Sequence, residues 1–233
     1  MSTSPTNGIP PGVTVFCDPT LAPALRGFDP VSRVQFGAPV AVLSAVAEGM
    51  LAQIQRHTRN DVLFTLSAAM DQAVQAGFVV PSTRINGFSN ALVLAGLAGR
   101  FPAAANAAAL GQLAAGSKIA VTDDTVASDL DGRAVLAANE LASGNVMGTA
   151  NTGDAAFLVT THVADIALIY RTDALADPRL TVIATLNADP ALINYSVAVN
   201  AKAVSPNARA LVGLISSSGG GALLRRTGLE AVT

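Results

Sequence analysis

The chain has 233 residues, 51% of them hydrophobic and 13% charged, with a formal net charge of -2. That is enough apolar material for a packed core and excludes a disordered chain. The slight acidic excess, with no basic block, excludes nucleic acid as a partner.

No apolar run reaches ~18 residues, so no membrane insertion is expected. The N-terminal MSTSPTNGIPPG is polar and rich in proline and glycine, without the charged start and apolar stretch of a signal peptide. The expected location is therefore periplasmic if a signal was removed, and otherwise cytoplasmic. In chain order, Val13–Cys17, Pro39–Leu43, Val62–Leu66 and Ala91–Ala95 read as buried strands, followed by Ile119–Thr122, Ile166–Tyr170, Leu180–Leu186 and Tyr195–Asn200. Their near-continuous apolarity predicts parallel strands covered on both faces.

Helical patterns lie between these strands. Val46, Met50, Leu51 and Ile54 form one stripe in 45–57. The alanine-rich 103–115, then 131–141, 154–162 and 206–215, read likewise, with Ser205-Pro206 as cap and first turn. The run SSSGGG at 216–221 is expected to end that helix, and a last helix, 222–226, to stop at Gly228. Alternation of strand and helix predicts a doubly wound α/β fold.

The chain has no GxxxxGK(S/T) loop, no GxGxxG after a strand, no HExxH and no GxSxG. His57 and His162 have no metal spacing to each other or to the single cysteine, Cys17, which also excludes an intrachain disulfide. No metal and no cofactor are expected. Cys17 reads as a small buried hydrophobe at a strand end, with a nucleophile as the alternative.

The order of these segments resembles the periplasmic molybdate-binding proteins of ABC importers. VTVFCDPTLAPAL is similar to the family's opening strand, turn and helix, written VFAAASL. LAQI at 51–54, Asp61 with VLFTLSA, and MDQAV at 70–74 follow the family's order. Asn90–Val93 resembles the crossing into a second lobe, and KIAVTD at 118–123 the strand before that lobe's ligand loop. DIALIYRTD at 165–173 is similar to GIVYGSDA, YSVAV at 195–199 to YPVAVV, and the Ser–Gly turn and RRTGL ending also fit. The resemblance covers about residues 12 to 230.

It implies two doubly wound lobes of the type II periplasmic-binding-protein fold, with a ligand cleft between them. Lobe I would hold 1–90 and 195–233, and lobe II would hold 91–194. Carried over residue by residue, the ligand set is Thr20, Ala47 where the family has serine, Asp131 in the turn that replaces Pro-Ala-Gly, Thr152, and Tyr170 followed by Arg171. Asp18, Glu48 and Asp131 fall on cleft-facing turns in this reading. An ionised carboxylate there disfavours a bare dianion, since two unit charges ~4 Å apart repel by about 4 kcal/mol at an effective dielectric of 20. Arg171 suits a carboxylate or phosphate. Structural alternatives stand beside these roles: Asp131 and Asp18 as helix caps, and Arg171 paired with Asp173 at the surface.

Two functions follow from the resemblance. The first is a solute-binding protein that captures a small anion, an organic carboxylate or an oxyanion, with an ABC permease as partner if exported. The second is an isomerase of a small polycarboxylate, similar to aconitate isomerase, with Asp131 or Asp18 as base, Arg171 holding a carboxylate, and Thr20 with backbone N–H groups stabilising developing charge.

Overall fold

The computed structural model describes residues 12–45, 47–56, 58–104, 106–123, 130–141, 145–189 and 193–231. His57 lies outside them. The chain divides into two compact units. Unit 1 contains residues 1–87, 195–224 and 231–233, and unit 2 contains 88–194 and 225–230.

Unit 1 begins with β1 (Val13–Cys17), α1 (Ala22–Arg26), α2 (Phe28–Phe36), β2 (Val40–Ser44), α3 (Ala47–Gln55), β3 (Val62–Leu66) and α4 (Ser67–Gln75). The chain leaves it through β4 (Ile85–Ser89) and returns through β10 (Asn194–Val199), α9 (Ala208–Ile215) and α10 (Ser218–Arg226), ending in β11 (Glu230–Ala231). The six-stranded sheet has the order β11-β4-β10-β3-β1-β2.

Unit 2 holds β5 (Leu92–Leu97), α5 (Ala107–Gly116), β6 (Ile119–Thr122), α6 (Gly132–Ala138), β7 (Val146–Thr149), α7 (Thr152–Thr160), β8 (Ile166–Tyr170), α8 (Arg171–Ala176) and β9 (Leu180–Thr185). Its five strands run β7-β6-β8-β5-β9. Leu92 and Leu94 of β5 join one apolar cluster with Ile119, Val121, Ile166 and Leu168. Val93 and Ala95 join the other with Ala120, Ala167 and Ile169. Successive side chains of a strand face opposite ways, so both faces of this sheet are covered.

The expectation of all-parallel strands is corrected. β1 is parallel to β2 and to β3, but β10 is antiparallel to β3. In unit 2, β6 is parallel to β7 and β8, whereas β5 runs antiparallel to β8 and β9. Burial on both faces makes a strand apolar whatever its direction, so apolarity alone does not report polarity of pairing. β2 is also less buried than its sequence suggests, because it is an edge strand. Three strands escaped the reading: β4 (INGFS) carries Asn and Gly, β7 (VMGT) is short, and β11 spans only Glu230–Ala231.

The run SSSGGG does end α9, whose C-cap is Ser216, but the last helix starts at Ser218 and not at Ala222. Gly219–Gly221 already lie within α10. Ser217 Oγ accepts from Gly220 N at 3.0 Å, capping the new helix. A Cβ on Gly220 would sit 2.0 Å from the Leu214 carbonyl oxygen, so only glycine permits so close a return onto α9.

Each unit uses an aspartate to tie neighbouring strands at their amino ends. Asp61 accepts from Thr14 N at 2.9 Å through Oδ2, and its own N–H donates to Thr14 O at 2.8 Å. Asp165 does the same with Lys118, at 2.9 Å in both directions. Asp61 is fully buried and also accepts from Val204 N and Ser205 N, each at 2.9 Å.

Candidate functional site

The candidate ligand residues lie at or after the carboxyl ends of parallel strands. In unit 1, Asp18 and Thr20 follow β1, and Ala47 opens the helix after β2. The side chains of Ala47 and Glu48 lie outside what is described. In unit 2, Asp131 precedes α6 after β6, Thr152 opens α7 after β7, and Tyr170–Arg171 join β8 to α8. Such edges collect loops and helix starts, where side chains and amides are available to a ligand.

Asp18 caps the short 3-10 turn Pro19–Leu21. Its Oδ1 accepts from Thr20 N at 3.1 Å and from the Thr20 hydroxyl at 2.9 Å. The Thr20 Oγ1 lies 3.4 Å from the Tyr195 hydroxyl. All three residues are buried. The Thr20 hydroxyl proton is thus directed at a protein carboxylate, which also occupies the Thr20 amide.

Unit 2 repeats this arrangement. Thr152 is buried, and its hydroxyl donates to Asp173 Oδ2 at 2.7 Å, linking the starts of α7 and α8. Both carried-over threonine hydroxyls therefore serve carboxylates of their own unit. Tyr170 is also buried at the last position of β8.

Asp131 is the N-cap of α6: Oδ1 accepts from Arg133 N and Ala134 N, each at 3.0 Å. Arg171 does not pair with Asp173. Its partners are Glu230 Oε1 at 3.6 Å and the Thr185 hydroxyl at 3.0 Å. Asp173 instead receives Thr152. Gly228, with φ 92°, lets the C-terminal segment pass against Arg171, since a Cβ there would lie 3.1 Å from Arg171 Cγ.

Cys17 is buried at the end of β1. Burial, with the neighbouring Asp18 charge second, pushes its thiol up to about 12. It is a packed apolar group at neutral pH and not a nucleophile.

Sequence reasoning missed a polar cluster in unit 1 around Ser67, the first residue of α4. Ser67 Oγ lies 2.8 Å from Ser196 Oγ, which donates to Asn86 Oδ1 at 2.7 Å. Arg84 bonds Asn86 at 2.8 Å and pairs with Asp71. The only sequence signal was a serine directly after an apolar strand. No group of three or more metal-ligating side chains occurs among the described residues.

Residues 13–230 match the family model described as bacterial extracellular solute-binding protein. The chain belongs to that family. A comparison with curated proteins gives no match. Among solved structures, this solute-binding protein is similar to a substrate-binding domain assigned to a molybdenum ABC transporter of Clostridium difficile. The two share 17% identity at a TM-score of 0.75, over 96% of this chain and 100% of that one. It is similar to the periplasmic molybdate-binding protein of Azotobacter vinelandii, at 16% identity and TM-score 0.73, over 95% and 100%. The L-phospholactate-bound form of Campylobacter jejuni PEB3 also matches, at 16% identity and TM-score 0.67, over 94% and 100%. Identities this low establish the fold of the solute-binding protein, which is the type II periplasmic-binding-protein fold.

Proposed function

We propose that this solute-binding protein captures a small organic anion that also carries a hydrogen-bond donor, a hydroxy acid being the simplest case, and delivers it unchanged to a membrane permease. In this reading the candidate capture residues are Asp18, Thr20 and the backbone at Ala47 in unit 1, and Asp131, Thr152, Tyr170 and Arg171 in unit 2. The observation that carries it is the pairing of both threonine hydroxyls with carboxylates: Thr20 with Asp18 at 2.9 Å and Thr152 with Asp173 at 2.7 Å.

A bare tetrahedral dianion brings charge and no donor. Beside a carboxylate it meets a repulsion of about 4 kcal/mol per pair of unit charges at ~4 Å, taking an effective dielectric of 20. A hydroxy acid gives its hydroxyl proton to such a carboxylate and its own carboxylate to Arg171. The guanidinium has five N–H donors and can serve Thr185 and a ligand together. That PEB3 was solved with L-phospholactate, an organic anion, is compatible with this ligand class on the fold.

The isomerase alternative gains nothing from the carboxylates assigned to it. Asp131 caps α6 through two amides, and Asp18 caps its own turn, so neither is held as a base waiting for a substrate proton. Calorimetry with molybdate, tungstate, citrate and aconitate tests the proposal. A carboxylate that binds more tightly than either oxyanion, with no isotope exchange by proton NMR in deuterated water, supports it. Submicromolar molybdate binding with no response to carboxylates overturns it.

A further inference from the structure

Unit 1 contains a cavity of about 240 Å³ at the edge of its sheet opposite the Asp18–Thr20 turn. It lies beside the amino end of β3, whereas Asp18 follows the carboxyl end of the parallel β1. A five-residue strand separates the two edges by roughly 16 Å, at ~3.3 Å per residue.

The walls come from four places: the end of α3, the loop Thr58–Asn60, the turn after α4 and the turn after β10. They are tied together in advance. Asn200 Nδ2 donates to Asn60 Oδ1 at 2.6 Å, Asn60 Nδ2 to Thr58 O at 2.9 Å, and Ala201 N to Phe78 O at 2.9 Å. Ile54 and Phe78 continue the apolar core into the floor. Val204, at the rim, is 62% exposed.

Two cations, Arg59 and Lys202, complete the lining, and no acidic residue does. Neither forms an ion pair among the described residues. The nearest carboxylate in sequence, Asp61, is fully buried and holds the amides of Thr14, Val204 and Ser205. Two uncompensated positive charges thus stand over an apolar floor in a pre-formed cavity.

We propose that this cavity is a second ligand site, separate from the capture residues, that takes a small carboxylate with an apolar body. At ~30 Å³ per water, the volume equals roughly eight waters, which suits a benzoate-sized molecule. The carboxylate lies between the Arg59 guanidinium, which can bind it through two N–H groups, and the Lys202 ammonium. The apolar body covers Ile54, Phe78 and Val204.

The test is a titration of the intact, nitrogen-15-labelled chain with sodium benzoate at constant ionic strength, with benzamide and acetate as parallel arms. Benzoate is expected to give saturable shifts at the amides of Phe78, Ala201, Lys202 and Val204. Benzamide, which lacks the charge, and acetate, which lacks the apolar body, should each bind at least about tenfold more weakly. Arg59→Gln and Lys202→Gln remove exposed charges and should each weaken benzoate roughly fivefold while the spectrum stays folded. Val204→Ser should weaken benzoate but not acetate. Absence of saturable shifts, equal binding of benzamide, or unchanged affinity in the Arg59→Gln/Lys202→Gln double variant overturns the proposal. Shifts centred on Asp18 and Thr20 instead of Phe78 and Val204 also overturn it, and they bear on the capture residues separately.

Discussion

The hydroxyl of Thr20 donates to Asp18 Oδ1 at 2.9 Å, so the side chain expected to greet an anion is already engaged by one. Asp18→Asn keeps an oxygen for the turn and removes the charge. We expect this variant to bind molybdate and tungstate at least about tenfold more tightly than the parent, a change of 1.4 kcal/mol, and to bind hydroxy acids more weakly. Calorimetry on both proteins checks it; oxyanion affinity that does not rise would show that Asp18 does not face the ligand.

Asp131 has two separable roles. Asp131→Ala should cost about 1 kcal/mol of stability through loss of the α6 cap, whereas Asp131→Ser should cost little because serine also caps. If the charge also acts on a ligand, Asp131→Ser changes affinity without changing the urea midpoint. If Asp131 only caps, affinity stays constant in both variants.

Asp61 is a structural carboxylate of unit 1. It holds the amides of Thr14, Val204 and Ser205 while fully buried. Asp61→Ala leaves buried donors without partners and should destabilise by about 3 kcal/mol or more. Urea denaturation followed by circular dichroism reads this directly. A shift below ~1 kcal/mol would mean that water replaces the carboxylate at no real cost.

Cys17 makes a prediction about pH. Its folded thiol is pushed up to about 12 from the ordinary 9.0, mainly by burial. A raised folded value means the native state holds the proton more tightly than the unfolded chain. This contribution is fully present below pH ~9 and is lost as pH rises toward ~12. Stability should therefore fall across that window, and Cys17→Ala should flatten the fall. In the native parent at pH 8, a thiol reagent should react with Cys17 only on unfolding.

Two glycines of the C-terminal helices, Gly213 and Gly220, should behave oppositely. Gly213 of α9 has open space around a built Cβ, and Gly213→Ala should stabilise by roughly 0.5–1 kcal/mol through helix propensity. At Gly220 a Cβ would meet the carbonyls of Leu214 and Ile215 at 2.0 and 2.6 Å. Gly220→Ala should lower the thermal midpoint by several degrees at the least. Equal responses at the two positions would refute this reading of the α9–α10 turn.

The sequence by itself determined most of the buried strands and the edges they present. Val13–Cys17, Val62–Leu66, Ile119–Thr122 and Ile166–Tyr170 were legible to the residue, because a short β-branched run between turn signals leaves little choice. The places of Thr20 and Ala47 after strand ends, and of Tyr170 at one, were legible for the same reason, whereas Thr152 follows β7, a strand too short to read. What only the tertiary structure decided was direction and partnership. Antiparallel β5 and β10 carry the same apolar run as parallel strands, since burial on both faces erases the difference. The helical state of Gly219–Gly221 depends on how closely α10 turns back on α9, which no local propensity records. The partners of the polar groups were hidden most completely: Thr152 bonds Asp173 across 21 residues and Arg171 meets Glu230 across 59. A hydrogen bond is set by a fraction of an ångström between atoms brought together by packing, and the one-dimensional order of residues does not contain that distance.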